Sequence, residues 1–262
     1  MKNLFAISAV AALAGSANAS IGFAVSANAA NDSFLSESIT VAPGYDGNAM
    51  LNTWGPGDMF GITSRPLASS TPFGIPFAMA DDSLVGFTSD TQGIIDENDN
   101  GRFFGLVDSA NGDNPGSTGN AEWTFDVSGA SSLSVNIDFA AMGDFEASND
   151  AHTFTWSIDG SAPQPLFTSS IDEASAQNYT MAGGALVNLD DPMLINGVLL
   201  DNNFQTVSAG ISGSGSVLTI AYEGEGDGGS EAVAFRNITV VPAPGAAGLL
   251  GFAGLAAARR RR

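Results

Sequence analysis

Two short acidic stretches carry the clearest candidate chemistry in this sequence. The first, MGDFEASND, contains Asp144, Glu146 and Asp150. The second, EGEGDGGSE, contains four acidic residues, which are Glu223, Glu225, Asp227 and Glu231. Carboxylates that crowd into a short loop repel one another unless a proton, a cation or a metal ion neutralises them. Ca²⁺ binds about six to eight oxygen atoms, which carboxylates, amides and backbone carbonyls supply.

These two stretches therefore predict a calcium site. The predicted ligands are Asp144, Glu146, Asp150 and Glu231. The two loops can share one ion if they lie at the same end of the fold. The competing interpretation is that these acids are solvated loop residues in a protein that is acidic throughout.

A third acidic stretch, DENDNG, matches the opening of a calcium-binding loop through Asp96, Asn98, Asn100 and Gly101. The glutamate that closes such a loop is missing, because Val107 stands in its place, and flanking helices are not predicted. A β-turn accounts for the Asn, Asp and Gly residues with fewer requirements, so we interpret the stretch as a turn.

Catalytic patterns are absent from the sequence. His152 is the only histidine, and no G-x-S-x-G, H-E-x-x-H or phosphate-binding loop accompanies it. We interpret His152 as an exposed or strand-edge residue. A pair of carboxylates could hydrolyse a glycoside, but among 28 acidic residues the presence of a pair indicates little. We therefore predict no catalytic residues.

The three tryptophans divide into two groups. Trp123 and Trp156 fall at inward-facing positions of predicted strands, which favours a place in the core. Trp54 lies in the Gly- and Pro-rich stretch NTWGPG, so it is the candidate to stack on a sugar ring.

The elements that must position these residues are β-strands. Five segments alternate apolar and polar residues, namely AEWTFDVSG, SLSVNIDFAAMG, HTFTWSIDG, SVLTIAYEG and EAVAFRNITVV. This period of two, with β-branched and aromatic residues, is typical of half-buried strands. Only SIDEASAQNY favours a short helix. We therefore predict an all-β fold with a single β-sandwich (jelly-roll-like) domain over residues 31–240.

Charge and composition narrow the function classes. The formal net charge is −20, and without the two ends only three bases remain against 28 acids. Nucleic-acid binding needs lysines and arginines that displace counterions, so we exclude a nucleic-acid partner. The acidity suits an exported domain, a cation binder or a protein adapted to salty water. No cysteine is present, so the domain must fold on its core without disulfides.

The first 19 residues form the pattern of a secretory signal peptide. Lys2 precedes an apolar helical run of about ten residues, and Ala17 and Ala19 supply the small side chains of a cleavage site for signal peptidase. A second such motif, Ala27-Asn28-Ala29, follows closely. We therefore predict an exported protein.

Residues 241–262 combine three features. A Pro-containing motif comes first, formed by Val241, Pro242, Ala243 and Pro244. Because proline lacks a backbone donor, we predict this motif to be extended and outside any central strand. A Gly/Ala/Leu/Phe segment follows, and as a helix it would be about 21 Å long, shorter than the roughly 30 Å hydrocarbon core. A basic cluster ends the sequence, with Arg259, Arg260, Arg261 and Arg262. Such a cluster stays on the cytoplasmic side of the inner membrane.

This tail resembles the PEP-CTERM sorting signal of Gram-negative bacteria. It departs from the common form at Ala243, where that form has Glu. The resemblance implies recognition by an exosortase, a membrane protease that cuts near the Pro-rich motif after transient anchoring by a short transmembrane helix. The product is released or attached at the cell surface or extracellular matrix.

The second half of the body, Ala121 to Val240, resembles jelly-roll sandwich domains of secreted bacterial proteins through WTFDVSGASSLSVNIDFAAMGDFEASND, DDPMLINGVLLDNNFQT and GEGDGGSEAVAFRNITV. The leading hypothesis is an exported, non-catalytic protein with a structural or adhesive role. The alternatives are a calcium-dependent carbohydrate-binding module, with polysaccharide as its partner, and a secreted hydrolase.

Overall fold

Strands supply nearly all the regular structure in the part of the chain that the computed structural model describes. That part comprises residues 23–25, 34–41, 51–52, 59–63, 101, 103–110, 118–128, 130, 132–180, 184, 186–228 and 231–242, and it contains no α-helix. Its strands are β1 (Phe23–Val25), β2 (Phe34–Val41), β3 (Leu51–Asn52), β4 (Met59–Thr63), β5 (Phe103–Val107), β6 (Gly119–Asp126), β7 (Ser132–Met142), β8 (Ala151–Ile158), β9 (Gln164–Ile171), β10 (Ala176–Thr180), β11 (Leu186–Asp190), β12 (Met193–Ile195), β13 (Val198–Leu199), β14 (Gln205–Ser212), β15 (Val217–Glu225) and β16 (Ala232–Pro242).

Two seven-stranded sheets hold most of these strands. The first has the order β14-β7-β16-β5-β4-β3, and β1 also pairs with β16. The second has the order β13-β12-β9-β8-β15-β6-β2, and β10 and β11 form a separate two-stranded sheet. Neighbouring strands are antiparallel in both sheets. The all-β prediction is confirmed for the described residues.

An aromatic layer joins the two sheets face to face. Phe235 on β16 lies 5.0 Å from Phe154 on β8 and 4.8 Å from Tyr222 on β15, measured between ring centroids. Phe104 on β5 meets the edge of Trp123 on β6 at 5.2 Å. All five side chains are almost completely buried, and full burial of such a side chain contributes about 1.5–3 kcal/mol. The sheets therefore form a sandwich with one core between them.

The core residues lie where the alternating sequence patterns predicted them. β6 alternates buried and more exposed residues along its length, with Trp123 and Phe125 facing inward. Val135 and Ile137 do the same on β7. Trp156 is half-buried and packs against the core from β8.

The helix expected at SIDEASAQNY is wrong. β9 ends at Ile171, a turn follows, and β10 begins at Ala176. The side chain of Asp172 accepts hydrogen bonds from the Ala174 N–H at 3.3 Å and the Ser175 hydroxyl at 2.8 Å. An aspartate that bonds the backbone two residues ahead favours a turn over a helix.

The expectation that the Pro motif stays outside a central strand is wrong for its first two residues. Val241 and Pro242 continue β16 and pair with Ser134 and Leu133 of β7. β16 lies between β7 and β5 in the first sheet. A strand end tolerates proline, because only one donor is lost there.

Several predicted features lie outside the described residues. They are the signal peptide with Ala17 and Ala19, the tail from Ala243 to Arg262, Trp54, and the residues Asp96, Asn98 and Asn100. The described residues contain no helix with the length and apolar character that a membrane span requires.

Two crossovers between the sheets lie side by side at one end of the sandwich. Residues 143–150 lead from β7 in the first sheet to β8 in the second, and residues 226–231 lead from β15 in the second sheet back to β16 in the first. β7 pairs with β16 up to Met142 opposite Ala232, and β8 pairs with β15 from Ala151 opposite Glu225. The register therefore brings the two acidic loops together.

Candidate metal centre

Four carboxylates from the two crossover loops converge on one point. Glu146 and Asp150 come from the β7–β8 loop, and Asp227 and Glu231 come from the β15–β16 loop. Each contributes an oxygen atom, and these four oxygens all lie within 4.8 Å of one another. The two acidic loops that the sequence analysis paired therefore meet, and their carboxylates form one cluster.

The β7–β8 loop is a compact turn that places its two acids on the same side. The backbone N–H groups of Asn149 and Asp150 donate to the Glu146 carbonyl at 3.0 and 2.8 Å. In return, the Glu146 N–H donates to Asp150 Oδ2 at 2.6 Å. Phe145, with 1% of its surface exposed, anchors this turn in the core.

The β15–β16 loop is fastened at both ends. The Gly226 N–H donates to Ser109 Oγ at 3.1 Å, and the Ala110 N–H donates to the Gly226 carbonyl at 3.0 Å. Further along, the Glu231 N–H donates to the Gly228 carbonyl at 3.3 Å. These bonds hold residues 226–228 and Glu231, the described part of the loop, beside the carboxylates.

Direct hydrogen bonds also connect the two loops. The Asp227 N–H donates to Asp150 Oδ1 at 3.4 Å. The side-chain amide of Asn149 donates to Asp227 Oδ2 at 2.7 Å. Asn149 therefore orients the exposed carboxylate of Asp227 toward the first loop.

Glycines allow the backbone to pass close to the carboxylates. A Cβ atom at Gly228 would overlap the carboxylate of Glu231. A Cβ at Gly143 would lie 2.9 Å from the Glu231 Cα and Cγ atoms, and one at Gly226 would lie 3.2 Å from Asp150 Oδ1. Side chains at Gly228 and Gly143 would force Glu231 to move, whereas one at Gly226 would require only a small shift of Asp150.

Two of the four carboxyl groups are buried. Asp150 keeps 4% of its surface exposed and Glu231 keeps 7%, whereas Glu146 and Asp227 are exposed. Burial, reinforced by the neighbouring charge of Asp150, raises the pKa of Glu231 to about 10. Burial also raises the pKa of Asp150 to about 6. Glu231 Oε2 is buried and has no hydrogen-bond partner.

The described residues contain one basic side chain that could balance the charge of these acids, Arg236. Its guanidinium carbon lies 3.9 Å from the ring centroid of Phe204. A group of four acids of which two are buried is costly to ionise without a positive charge. The arrangement therefore suits a cation that carboxylate oxygens bind.

The structure brings together three of the four predicted ligands, with Asp227 in place of Asp144. Asp144 is exposed, and its charge acts on Asp191, whose pKa is raised first by desolvation and then by Asp144. The reason is Phe145, which turns into the core while its N–H donates to the Asp191 carbonyl at 3.2 Å. Asp144 therefore faces the β11–β12 connection instead of the cluster.

The sequence identified the second acidic loop, but it did not indicate which of its acids faces the site. Glu223 and Glu225 lie on β15, and the residues that alternate with them, Tyr222 and Gly224, are buried. The two glutamates therefore point outward by strand alternation. Asp227, beyond the strand end, is free of that alternation and reaches the cluster.

His152 is buried, so its interpretation as an exposed or strand-edge residue is wrong. β8 lies between β9 and β15, and His152 keeps only 2% of its surface exposed. Its Nδ1 atom lies 2.8 Å from the Tyr222 hydroxyl. Burial lowers the pKa of His152 to about 3, so it is a neutral core residue at physiological pH.

Comparisons with known proteins identify no family. No protein-family model and no curated protein match this chain. A cyclase from Fischerella sp. TAU is 12% identical, with a TM-score of 0.40, over 85% of this chain and 100% of the cyclase. The K2 cleaved adhesin domain of Lys-gingipain is 12% identical, with a TM-score of 0.38, over 84% of this chain and 97% of that domain.

A CBM22-1 xylan-binding domain from Paenibacillus barcinonensis Xyn10C is 7% identical, with a TM-score of 0.33, over 85% of this chain and 94% of that domain. At TM-scores of 0.40 and lower, these similarities carry no argument about this chain. The fold is a sandwich because its two sheets face each other across the aromatic core.

Proposed function

We propose that this chain is an exported, non-catalytic β-sandwich protein with a structural or adhesive role at the cell surface or in the extracellular matrix of a Gram-negative-type bacterium. The observation that carries the proposal is the pattern of the two ends. A signal-peptide pattern with Ala17 and Ala19 precedes the strongly acidic body, and a Pro-apolar-Arg tail follows it.

Processing takes place in two steps in this proposal. Signal peptidase removes the N-terminal segment, and the C-terminal segment holds the protein transiently in the inner membrane. An exosortase then cuts near Pro242, Ala243 and Pro244. The end of β16 at Pro242 supports this cutting position, because a cut beyond it leaves all the described strands intact.

Expression of the full chain in an exosortase-positive host and in its exosortase-deletion strain tests this route. We expect a shortened, extracellular or surface-bound product in the first host and a longer, membrane-bound product in the second. Replacement of Arg259, Arg260, Arg261 and Arg262 by alanine should abolish retention at the inner membrane. Uncut full-length chain dissolved in the cytosol of the positive host would contradict the proposal.

A gene deletion tests the structural or adhesive role. Cells that lack the protein should attach less to a surface or hold less matrix, and the wild-type gene should restore both properties. Unchanged attachment and matrix in the deletion strain would contradict this role.

We further propose that the sandwich is a jelly roll. The eight central strands, taken in chain order, are β5, β6, β7, β8, β9, β14, β15 and β16. The first, eighth, third and sixth of them neighbour one another in one sheet, and the second, seventh, fourth and fifth do so in the other. This order supports a double Greek key, which is the topology of a jelly roll.

A calcium-dependent carbohydrate-binding module is the second candidate function. The acidic cluster supports it, because a cation there would order two loops at one end of the sandwich. A glycan array with and without a chelator tests it, and we expect binding to one polysaccharide class only when calcium is present. A secreted hydrolase is less well supported, since it needs two carboxyl groups on either side of a bound substrate, whereas these four carboxylates converge on one point.

A further inference from the structure

We propose that Glu146, Asp150, Asp227 and Glu231 form a calcium site that fastens the β7–β8 crossover to the β15–β16 crossover. The proposal does not depend on export, because it concerns the folded body alone. Its first support is geometric: four carboxylate oxygens from two loops distant in sequence lie within 4.8 Å of one another.

The second support is the state of Glu231. Its side chain is more than nine-tenths buried, its carboxylate belongs to the cluster, and its Oε2 atom has no hydrogen-bond partner. Buried polar atoms in proteins are almost always satisfied by a partner, a water molecule or an ion. An unpartnered oxygen in a group of four carboxyl groups indicates a cation, which would replace the proton that Glu231 and Asp150 share through their side-chain hydrogen bond.

The ligand chemistry favours Ca²⁺ over other metals. All four ligands are hard carboxylate oxygens, which suit Ca²⁺ or Mg²⁺ better than zinc or copper. Ca²⁺ accepts oxygens at about 2.3–2.6 Å, so opposite ligands in its shell are about 4.6–5.2 Å apart. Mg²⁺ requires about 2.0–2.1 Å and a strict octahedron. Oxygens that lie within 4.8 Å of one another can all reach one Ca²⁺ without the strict geometry that Mg²⁺ requires.

The surrounding residues support a preformed site. Asn149 orients Asp227 by its hydrogen bond at 2.7 Å, and the Glu146 N–H fixes Asp150 Oδ2. Gly228 leaves the room that the Glu231 carboxylate occupies. Hydrogen bonds thus orient two of the four carboxylates, and the glycine leaves the space that a third requires.

The consequence is a cross-link between the two sheets at one end of the sandwich. Glu146 and Asp150 lie on the loop from the first sheet to the second, while Asp227 and Glu231 lie on the loop that returns. A ligand that binds only the folded state stabilises that state by mass action. Calcium should therefore raise the resistance of the whole sandwich to unfolding.

The test uses the purified full chain, stripped of metal and then titrated with Ca²⁺ or Mg²⁺ alone. Calorimetric titration should give one Ca²⁺ per chain. The melting temperature should rise by about 5–10 °C at a hundredfold excess of Ca²⁺ over its Kd. Mg²⁺ at equal concentration should produce less than half of this shift.

Three variants make the test specific to the cluster. Glu231→Gln and Asp227→Asn should weaken Ca²⁺ binding at least tenfold and remove most of the thermal shift. Asp144→Asn is the matched control, because it removes an exposed negative charge from the same loop without touching the cluster, and it should bind Ca²⁺ as the wild type does. Asp227 is exposed, so its variant keeps the test decisive even if the Glu231 variant fails to fold.

Three results would overturn the proposal. They are a melting temperature that Ca²⁺ leaves unchanged, an equal loss of binding in Asp144→Asn and Asp227→Asn, and a response to Mg²⁺ as large as that to Ca²⁺. The second result would mean that calcium screens an acidic surface without a defined site.

Discussion

Replacing glycines beside the cluster with alanine provides a graded test of how closely the loops enclose their carboxylates. A Cβ at Gly228 overlaps three atoms of the Glu231 carboxyl group, a Cβ at Gly226 lies 3.2 Å from Asp150 Oδ1, and a Cβ at Gly210 on β14 has no atom within 4 Å. Gly228→Ala should therefore expel the Glu231 carboxylate from the site. Gly226→Ala should require only small shifts, and Gly210→Ala is the matched control.

The magnitudes follow from these distances. At a hundredfold excess of ligand over Kd, one bound ion stabilises the wild type by about 2.7 kcal/mol, and Gly228→Ala should lose most of this. Gly226→Ala should cost about 1 kcal/mol, the lower end of the range for overpacking, because its Cβ requires only small movements of Asp150 and Leu106. Gly210→Ala should change the free energy of unfolding by about 0.5–1 kcal/mol in the stabilising direction.

Urea unfolding with and without Ca²⁺ measures these differences. The fluorescence of the fully buried Trp123 reports the transition. The decisive quantity is the calcium-dependent part of the free energy of unfolding, which should be lost in Gly228→Ala and kept in Gly210→Ala. A full calcium response in Gly228→Ala would refute the reasoning, since the Glu231 carboxylate would then be unnecessary or free to move elsewhere.

Three further predictions concern the core and the support of the site. Phe235→Ala should lower the free energy of unfolding by about 3–5 kcal/mol, whereas Leu186→Ala, at a position 65% exposed, should change it by less than about 0.5 kcal/mol in urea titrations. Below pH 6.5 the unfolded chain binds a proton that buried His152, with a pKa of about 3, does not bind, so His152 by itself should lower the free energy of unfolding by about 2 kcal/mol between pH 7 and pH 5. The raised pKa values of Asp150 and Glu231 act in the opposite direction over this range. The free energy of unfolding of the wild type, measured relative to that of His152→Leu at each pH, should therefore fall by about 2 kcal/mol from pH 7 to pH 5. Asn149→Ala should weaken Ca²⁺ binding about tenfold in calorimetric titration, because it removes an amide that orients a ligand.

Each of these three has an outcome that contradicts it. Equal losses in Phe235→Ala and Leu186→Ala would mean that the two sheets do not share the aromatic core. An acid sensitivity that His152→Leu leaves unchanged would place the proton uptake on other groups. Unaltered calcium affinity in Asn149→Ala would mean that the neighbouring turn alone positions the ligands.

The strand alternation predicted most of the core, because the period of two is a local property of the sequence. Trp123 and Phe125 on β6 and Val135 and Ile137 on β7 are buried where the pattern placed them. The segment after Ile171 misled the prediction, since its acids suit the first turn of a helix as well as the turn between two strands. The hydrogen bonds of Asp172 decided in favour of the turn.

The site was predictable as a pair of loops but not as a set of ligands. Both acidic stretches were evident, yet their meeting depends on the register of β7 with β16 and of β8 with β15. The choice of Asp227 over Asp144 depends on the direction in which Phe145 enters the core. The burial of His152 likewise depends on β8 lying inside a sheet. These are long-range properties, which local patterns do not contain.

A crystal structure of the full chain grown with Ca²⁺ tests the central claim most directly. We predict one calcium ion between the two crossovers, with oxygens of Glu146, Asp150, Asp227 and Glu231 at about 2.3–2.6 Å from it. An ion bound elsewhere, or a cluster that holds only water against Glu231 Oε2 at saturating Ca²⁺, would contradict the account.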